Sequence, residues 1–326
     1  MKSICGFCYE PLDAGERFFH RSCSEKLFGI RNPPELPFTN EYLEELAEKT
    51  VRASITVPGV QTKLSLHLEK EGRGSGRLTV VGLWGSFILK PPVKEYPFLP
   101  EIEDMTMHLA SIAGIRTVPH GLIPMFDGRL AYITRRVDRP LEKQDRKRKM
   151  TKRHMEDMCQ LAERQAEYKY TGSMEQISRI IRKYSSNPGL DLTKFFDMAL
   201  FSFLAGNGDM HLKNISLIYG KNSGITLAPA YDLLATRLIL PERVDPEEMA
   251  LTVNGKKAKL GRGDYELFGK ASGLSQKQID NAFGRMKRWV PAMLKFIEKG
   301  FLPENKSEEL AGLILSRVAR LYSSTQ

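Results

Sequence analysis

Gly206-Asn207-Gly208-Asp209-Met210-His211-Leu212-Lys213-Asn214, followed after a hydrophobic run by Ala230-Tyr231-Asp232, decides how this chain is read. Transfer of a γ-phosphoryl group requires a base at the acceptor hydroxyl and oxygen ligands for Mg²⁺. Asp209 and Asn214 stand five residues apart. That spacing suits a loop whose first residue faces a nucleophile and whose last returns to a metal, with Asp232 adding a second metal ligand from an adjoining strand end. These are the residue types of a kinase catalytic loop and metal Asp. An Asn/Gly/Asp-rich turn between a helix and a strand accounts for the same residues, so the choice rests on the rest of the chain.

Upstream, Phe87-Ile88-Leu89-Lys90 ends an apolar strand ahead of Pro91-Pro92 and puts an ammonium where it can neutralise nucleotide phosphates. Glu103 or Glu101, on a helix expected over 101–113, is available to orient it. Before that strand lies Ser54-Ile55-Thr56-Val57-Pro58-Gly59-Val60-Gln61-Thr62-Lys63, which is neither a Walker A loop nor GxGxxG. Backbone N–H groups near Gly59 can still approach phosphates closely, with the Ser54 and Thr56 hydroxyls within reach. Flanking patterns predict strands over 63–69, 78–81, 85–90 and 131–134, a turn over 71–76, and a helix over 38–51 with Thr39 as its N-cap. From about residue 154 onward the predicted elements are helices, over 155–168, 174–184, 192–204 and the segments after Ser275. The expectation is an α+β, two-lobed, protein-kinase-like fold. A β-rich N-lobe spans 38–140 with the phosphate loop and hinge, and a predominantly helical C-lobe spans 141–326 with the catalytic loop.

Composition excludes little and fits this. A chain of 326 residues, 41% hydrophobic and 27% charged, suits a globular protein of two lobes. No apolar run approaches a spanning helix, and the N-terminus lacks a charged-then-apolar secretory pattern, so no membrane and a cytoplasmic location are expected. The net charge of +10 suggests an acidic partner, nucleic acid or an acidic protein surface, and the basic run Lys143–Arg153 reads as a solvated loop. Residues 1–37 form a separate cap, closed by the stiff connector Asn32-Pro33-Pro34-Glu35-Leu36-Pro37. Within it, Cys5-x₂-Cys8, eleven residues, then His20-x₂-Cys23 supply four ligands in two short knuckles, the set a structural Zn²⁺ takes. Reduced thiols without metal are the alternative; a disulfide is disfavoured in a reducing compartment. Cys159 lies in a helical pattern and reads as core.

Taken together, these motifs resemble the HipA-like kinases, toxin components of bacterial toxin–antitoxin modules, from about Ser54 to the C-terminus. The stations occur in order: the Ser54–Lys63 loop, Phe87–Pro91, a hinge at Ile133-Thr134-Arg135-Arg136-Val137-Asp138-Arg139, the Gly206–Asn214 loop, and Ala230-Tyr231-Asp232-Leu233. The resemblance implies ATP and Mg²⁺ as cofactors, with Gly59, Val60 and Gln61 in the phosphate loop and Lys90 at the phosphates. It also implies Arg135 and Val137 as backbone contacts to adenine, Asp138 near the ribose, and His211 at the catalytic-loop histidine position. Asp209 would be the base, with Asn214 and Asp232 on Mg²⁺. Family members phosphorylate protein serines, those characterised acting on aminoacyl-tRNA synthetases, and autophosphorylate a loop hydroxyl; Thr56 matches that position, and Ser54 the additional one of the short form, HipT. The short stretch ahead of Ser54 makes the chain more similar to HipT, for which a HipS-like small protein and a HipB-like helix-turn-helix protein are the implied partners, with DNA reached mainly through the latter. The cysteine cap is outside the pattern being matched. Two other readings remain: a non-catalytic subunit of a DNA-bound repressor complex, and a small-molecule kinase.

Overall fold

The structure, a computed structural model, describes residues 3–43, 45, 63–71, 74–81, 85–144, 147–221 and 224–322. It divides into two compact units, residues 1–104 with 118–152 and residues 105–117 with 153–326.

In the first unit the cap contributes one helix, α1 (Arg21–Phe28), which ends at Gly29 in the left-handed conformation that glycine adopts without penalty. Five strands follow: β1 (Leu64–Glu71), β2 (Ser75–Val81), β3 (Phe87–Lys90), β4 (His120–Pro124) and β5 (Leu130–Arg135). They form an antiparallel sheet of order β2-β1-β3-β5-β4. Helix α2 (Leu99–Ile112) interrupts the strand series and runs on into the second unit. Alternation along the strands buries Leu64, Leu66, Phe87, Leu89, Ala131 and Ile133 in one cluster. The same cluster contains Cys5, Phe19, Cys23, Leu27 and Phe28, so the cap is the layer that covers this face, with Phe28 and Phe87 ring centroids 5.7 Å apart. The cap also binds both edge strands. The Glu35 carbonyl accepts from the Leu78 amide at 3.0 Å on β2, and the Gly6 carbonyl accepts from the Leu122 amide at 2.9 Å on β4. Unpaired strand edges are thereby occupied. A side chain at Gly6 would stand 2.6 Å from the Leu122 carbonyl, which explains the glycine between the two cysteines.

The basic run is a correction. Lys143–Arg153 is not simply a loop: β6 (Leu141–Gln144) and β7 (Lys147–Met150) pair as a hairpin, with Glu142 opposite Lys149. Residues 151–154 are without regular structure before the next strand.

The second unit is mainly helical. A three-stranded sheet, order β10-β9-β8, comprises β8 (Met155–Asp157), β9 (Ser216–Gly220) and β10 (Gly224–Leu227). The helices are α3 (Met158–Leu161), α4 (Met174–Tyr184), α5 (Pro188–Ala205), α6 (Arg262–Ala271), α7 (Gln276–Ile297) and α8 (Glu304–Tyr322). Strong amphipathic sequence explains α4, which Ser173 caps by accepting from the Gln176 amide. Helix α5 begins four residues before the sequence expectation because Asn187 caps it and Pro188 is preorganised for its first turn. The helix expected over 155–168 is not continuous. Met155 pairs with Ile218 in the sheet, Asp157 forms a capping box with Gln160 and so starts a one-turn helix, and Glu163 at φ 55° ends the run. Strand pairing and a strong cap outweigh helical periodicity there. No helix among the described residues is long and apolar enough to cross a membrane.

Candidate active site

Helix α5 delivers the decisive loop. It stops at Gly206, φ 74°, where a Cβ would stand 2.6 Å from Leu313 and 2.9 Å from Arg237, so both the backbone and the packing demand glycine. Thr236 then staples the turn: its hydroxyl donates to the Gly206 carbonyl at 3.1 Å and accepts from the Gly208 amide at 2.9 Å. Buried Asn207 donates to the Ser202 hydroxyl at 3.3 Å. The chain turns tightly from Asp209 to His211, makes a single 3₁₀ turn over Leu212–Asn214, and enters β9.

This path brings Asp209, Asn214 and Asp232 together. The buried Asn214 amide nitrogen reaches the Asp209 carbonyl at 3.4 Å, the Asp232 carbonyl at 3.3 Å and the Asp232 carboxylate at 3.4 Å. Three acceptors around Nδ2 fix the amide orientation and turn Oδ1 away from them. Asp232 sits at φ 60°, a left-handed conformation uncommon outside glycine and tolerated by Asp. Asp209 and Asp232 both retain partial exposure. Hard carboxylate and amide oxygens are the donor chemistry of Mg²⁺, so the residues present fit that ion. His211 is buried beside them, and burial lowers its pKa despite the attraction of Asp209. Its Nδ1 has no hydrogen-bond partner among the described residues, and its ring packs edge-on to Tyr170 at 5.1 Å.

Tyr170 was missed in the sequence. Its hydroxyl donates to Asp209 Oδ1 at 2.8 Å, and burial followed by the Asp209 charge pushes its phenol pKa up. Lys213 was missed too; it forms a 3.1 Å ion pair with Asp157, while its carbonyl accepts from Tyr231 at 2.9 Å. The tyrosine of Ala230-Tyr231-Asp232 therefore holds the loop to the segment that carries the carboxylate.

In the first unit, Lys90 ends β3 on the face opposite the cap. Its ammonium lies 2.5 Å from Glu103 and 5.5 Å from the Tyr132 ring centroid. Both partners are buried. Glu103 is thus the orienting carboxylate, and Glu101 is not; burial and then the Asp104 charge raise Glu101 to about 7. Next to Glu103, Asp104 accepts from Tyr9 and bonds His120 Nδ1, each at 2.6 Å. In the hinge, the Arg135 guanidinium donates into the cap, to the carbonyls of Lys26 at 2.8 Å and Leu27, while its amide donates to Pro119 at 2.9 Å. Asp138 is held by Arg136 at 3.0 and 3.1 Å and by Arg139. Val137 lies in the turn between them. Ser54, Thr56, Gly59, Val60 and Gln61 lie outside the described residues.

The four expected metal ligands converge. Ligand atoms of Cys5, Cys8, His20 and Cys23 all lie within 4.8 Å of one another, and no disulfide joins the cysteines. The Cys5 thiol falls to about 5, because the Cys23 side chain and the backbone N–H groups of His20, Phe7 and Cys8 together outweigh burial. The same bond to Cys5 pushes the Cys23 thiol up.

Residues 55–294 match the HipA-like C-terminal domain. The chain belongs to the HipA-like family. A candidate kinase of Haemophilus influenzae is 29% identical over 319 residues, covering 91% of this chain and 89% of its own. The candidate kinase Y4mE of Sinorhizobium fredii is 32% identical over 275 residues, covering 81% of this chain and 62% of its own. Among solved structures, HipA of Shewanella oneidensis, determined with HipB and its operator DNA, superposes with a TM-score of 0.68 at 22% identity, over 88% of this chain and 71% of that one. The proinflammatory kinase CtkA of Helicobacter pylori gives 0.52 at 15% identity, over 72% and 87%. At these identities the structural likeness establishes the fold: a mixed α+β, kinase-like arrangement with a β-rich N-terminal sheet followed by a helical C-terminal part. The α+β expectation holds.

Proposed function

We propose that this HipA-like protein is a toxin kinase that transfers the γ-phosphoryl group of ATP to a serine or threonine of a protein target. The observation that carries this is the Asn214 amide, which ties the Asp209 backbone and the Asp232 carboxylate into one site. Asp209 takes the proton of the acceptor hydroxyl as its oxygen bonds phosphorus and the bond to the ADP oxygen breaks. Asn214 Oδ1 and the Asp232 carboxylate would hold Mg²⁺, which when bound would supply the charge neutralisation that the moving phosphoryl group needs. Lys90, oriented by Glu103, neutralises nucleotide phosphates. With the Arg135 amide taken by Pro119, the Arg135 carbonyl and the Val137 backbone would contact adenine, Asp138 would serve the ribose, and His211 supports the catalytic turn by packing.

The target we infer is a component of translation, an aminoacyl-tRNA synthetase being the type its family suggests, with growth inhibition as the outcome. Phosphorylation of Ser54 or Thr56 would place about −1.5 to −2 charges beside the nucleotide phosphates and reduce activity. The Shewanella complex with HipB and operator DNA supports a HipB-like antitoxin as partner, with DNA reached through it. The deciding experiment measures transfer from γ-labelled ATP to protein, and growth on induction, for Asp209→Asn and Asp232→Asn. Loss of both in both variants is expected. Undiminished labelling in either removes the mechanism. Labelling of a small molecule with no phosphoprotein would instead identify a small-molecule kinase.

A further inference from the structure

We infer that the N-terminal cap holds one Zn²⁺ through Cys5, Cys8, His20 and Cys23, and that this metal fixes two cap contacts, one to helix α2, which carries the Lys90 partner Glu103, and one to the Arg135 hinge. The geometry is that of a closed structural site. Tetrahedral Zn²⁺ with Zn–S near 2.3 Å and Zn–N near 2.0–2.1 Å separates a sulfur from a nitrogen ligand by about 3.6 Å. Cys8 Sγ and Cys23 Sγ lie 3.3 and 3.7 Å from His20 Nδ1. His20 Nε2 lies 2.8 Å from the Pro11 carbonyl; donating its proton there leaves Nδ1 as the lone-pair nitrogen that faces the sulfurs. The His20 amide donates to Cys5 Sγ at 3.4 Å, a contact that stabilises a metal-bound thiolate.

The first knuckle turns back through the Tyr9 amide, which donates to the Cys5 carbonyl at 2.9 Å, and presents fully buried Tyr9 to Asp104, the neighbour of Glu103. The second knuckle leads into α1, which contains Cys23 and whose last carbonyls, Lys26 and Leu27, receive Arg135. One ion would therefore brace the cap's contacts with both α2 and the hinge. A polypeptide cap of this size has little core of its own, and the sheet face it covers is the one that backs Lys90 and from which Arg135 projects into the cap. The positioning half of the inference rests on the kinase reading; the metal half does not.

The test uses full-length protein expressed without chelator. Elemental analysis should give one zinc per chain in the wild type and in Cys159→Ser, and little in Cys8→Ser or His20→Ala. Exchange with Co²⁺, which needs no variant, should produce the visible bands of a tetrahedral cobalt thiolate. Zinc-free wild type without those bands, or zinc retained in both Cys8→Ser and His20→Ala, overturns the site. For positioning, stripping the metal should weaken binding of a fluorescent ATP analogue by about 10-fold, a coupling of ordinary size, and restored zinc should recover it. Unchanged nucleotide affinity in stripped protein overturns that half. Stoichiometric zinc in a protein that binds ATP but transfers no phosphate would refute the kinase reading while leaving the metal half of this inference standing.

Discussion

The two charged constellations of this molecule are built on opposite plans. Lys90 and Glu103 form a short, buried ion pair; Asp209, Asn214 and Asp232 are joined by longer contacts of 3.3–3.4 Å, and the two carboxylates stay partly open to solvent. The difference follows from which side supplies the cation. In the first unit the cation is covalently part of β3 and has lost its water, so the fold must provide a carboxylate before any ligand arrives. In the second, as proposed, the cation would be external. Asp232, which would receive the metal, and Asp209, the proposed base, both keep partial exposure, and the Asn214 amide links them without neutralising either. One site is stabilised by its own pairing, and the other is kept incomplete.

Substitutions should separate these plans, and the largest effect should fall on activity alone. Asp209→Asn and Asp232→Asn remove the proposed base and a proposed metal ligand but leave partly exposed amides of the same shape. Phosphotransfer should drop by at least about 10³-fold. Thermal unfolding should change little, and a large loss of stability would mean that the open site is a structural network after all. Glu103→Gln should do the reverse. It leaves the buried Lys90 ammonium without its main partner, at a cost of about 3 kcal/mol, read by urea unfolding. The double variant Lys90→Met, Glu103→Leu should recover most of that stability and none of the activity. If it remained as unstable as Glu103→Gln, desolvation would not be the cause.

Much of the open site was legible, because its parts lie within one short loop and one tripeptide where glycine, amide and carboxylate each have a local reason. Lys90 was legible from the strand that ends on it. The choice of Glu103 over Glu101 was not. The two positions face different sides of α2, and only the sheet, which buries Lys90 on the side opposite the cap, selects one. Tyr9, Asp104 and His120 form one cluster across 95 and 16 residues of chain, a separation that no periodicity spans. The helix expected over 155–168 failed because cross-strand pairing of Met155 with Ile218 is information held elsewhere in the chain. The cysteine cap shows both limits. Its ligand spacing was plain from sequence, while its service as one layer of the catalytic sheet emerged only from Phe19, Leu27 and Phe28 packing among β-strand residues.

Glu101 offers a smaller test of the buried side. Its carboxyl is raised from 4.5 to about 7 by burial, so the native state holds a proton there that the unfolded chain has released between those values. Stability from this group is therefore full below about pH 4.5, falls as pH rises toward 7, and levels off above it. Glu101→Gln should match wild type near pH 4.5 and exceed it by about 2 kcal/mol at pH 8, somewhat below the full conversion of the shift because the group keeps some exposure. A stability difference that does not vary with pH would point to packing.

The smallest expected effect bears on the open site and tests what keeps it open. The Tyr170 hydroxyl donates to Asp209 Oδ1 from a ring that is 43% exposed, so its net contribution to folding is small. Its contribution to geometry is larger, because a carboxylate with one oxygen engaged cannot rotate freely about its Cβ–Cγ bond, and a base must meet the hydroxyl at a fixed angle. Tyr170→Phe keeps the edge-on contact with His211 and removes only this donor. The turnover number should fall about 5-fold, equivalent to about 1 kcal/mol, with nucleotide affinity and melting temperature unchanged. A rise in turnover would reverse the assignment: the phenol would then occupy the position of the acceptor hydroxyl and hold the base idle until a protein substrate displaces it. Either result bears on the contrast with Lys90, since it decides whether Asp209 waits unoccupied for its substrate or, like the lysine, comes with a partner that must be displaced.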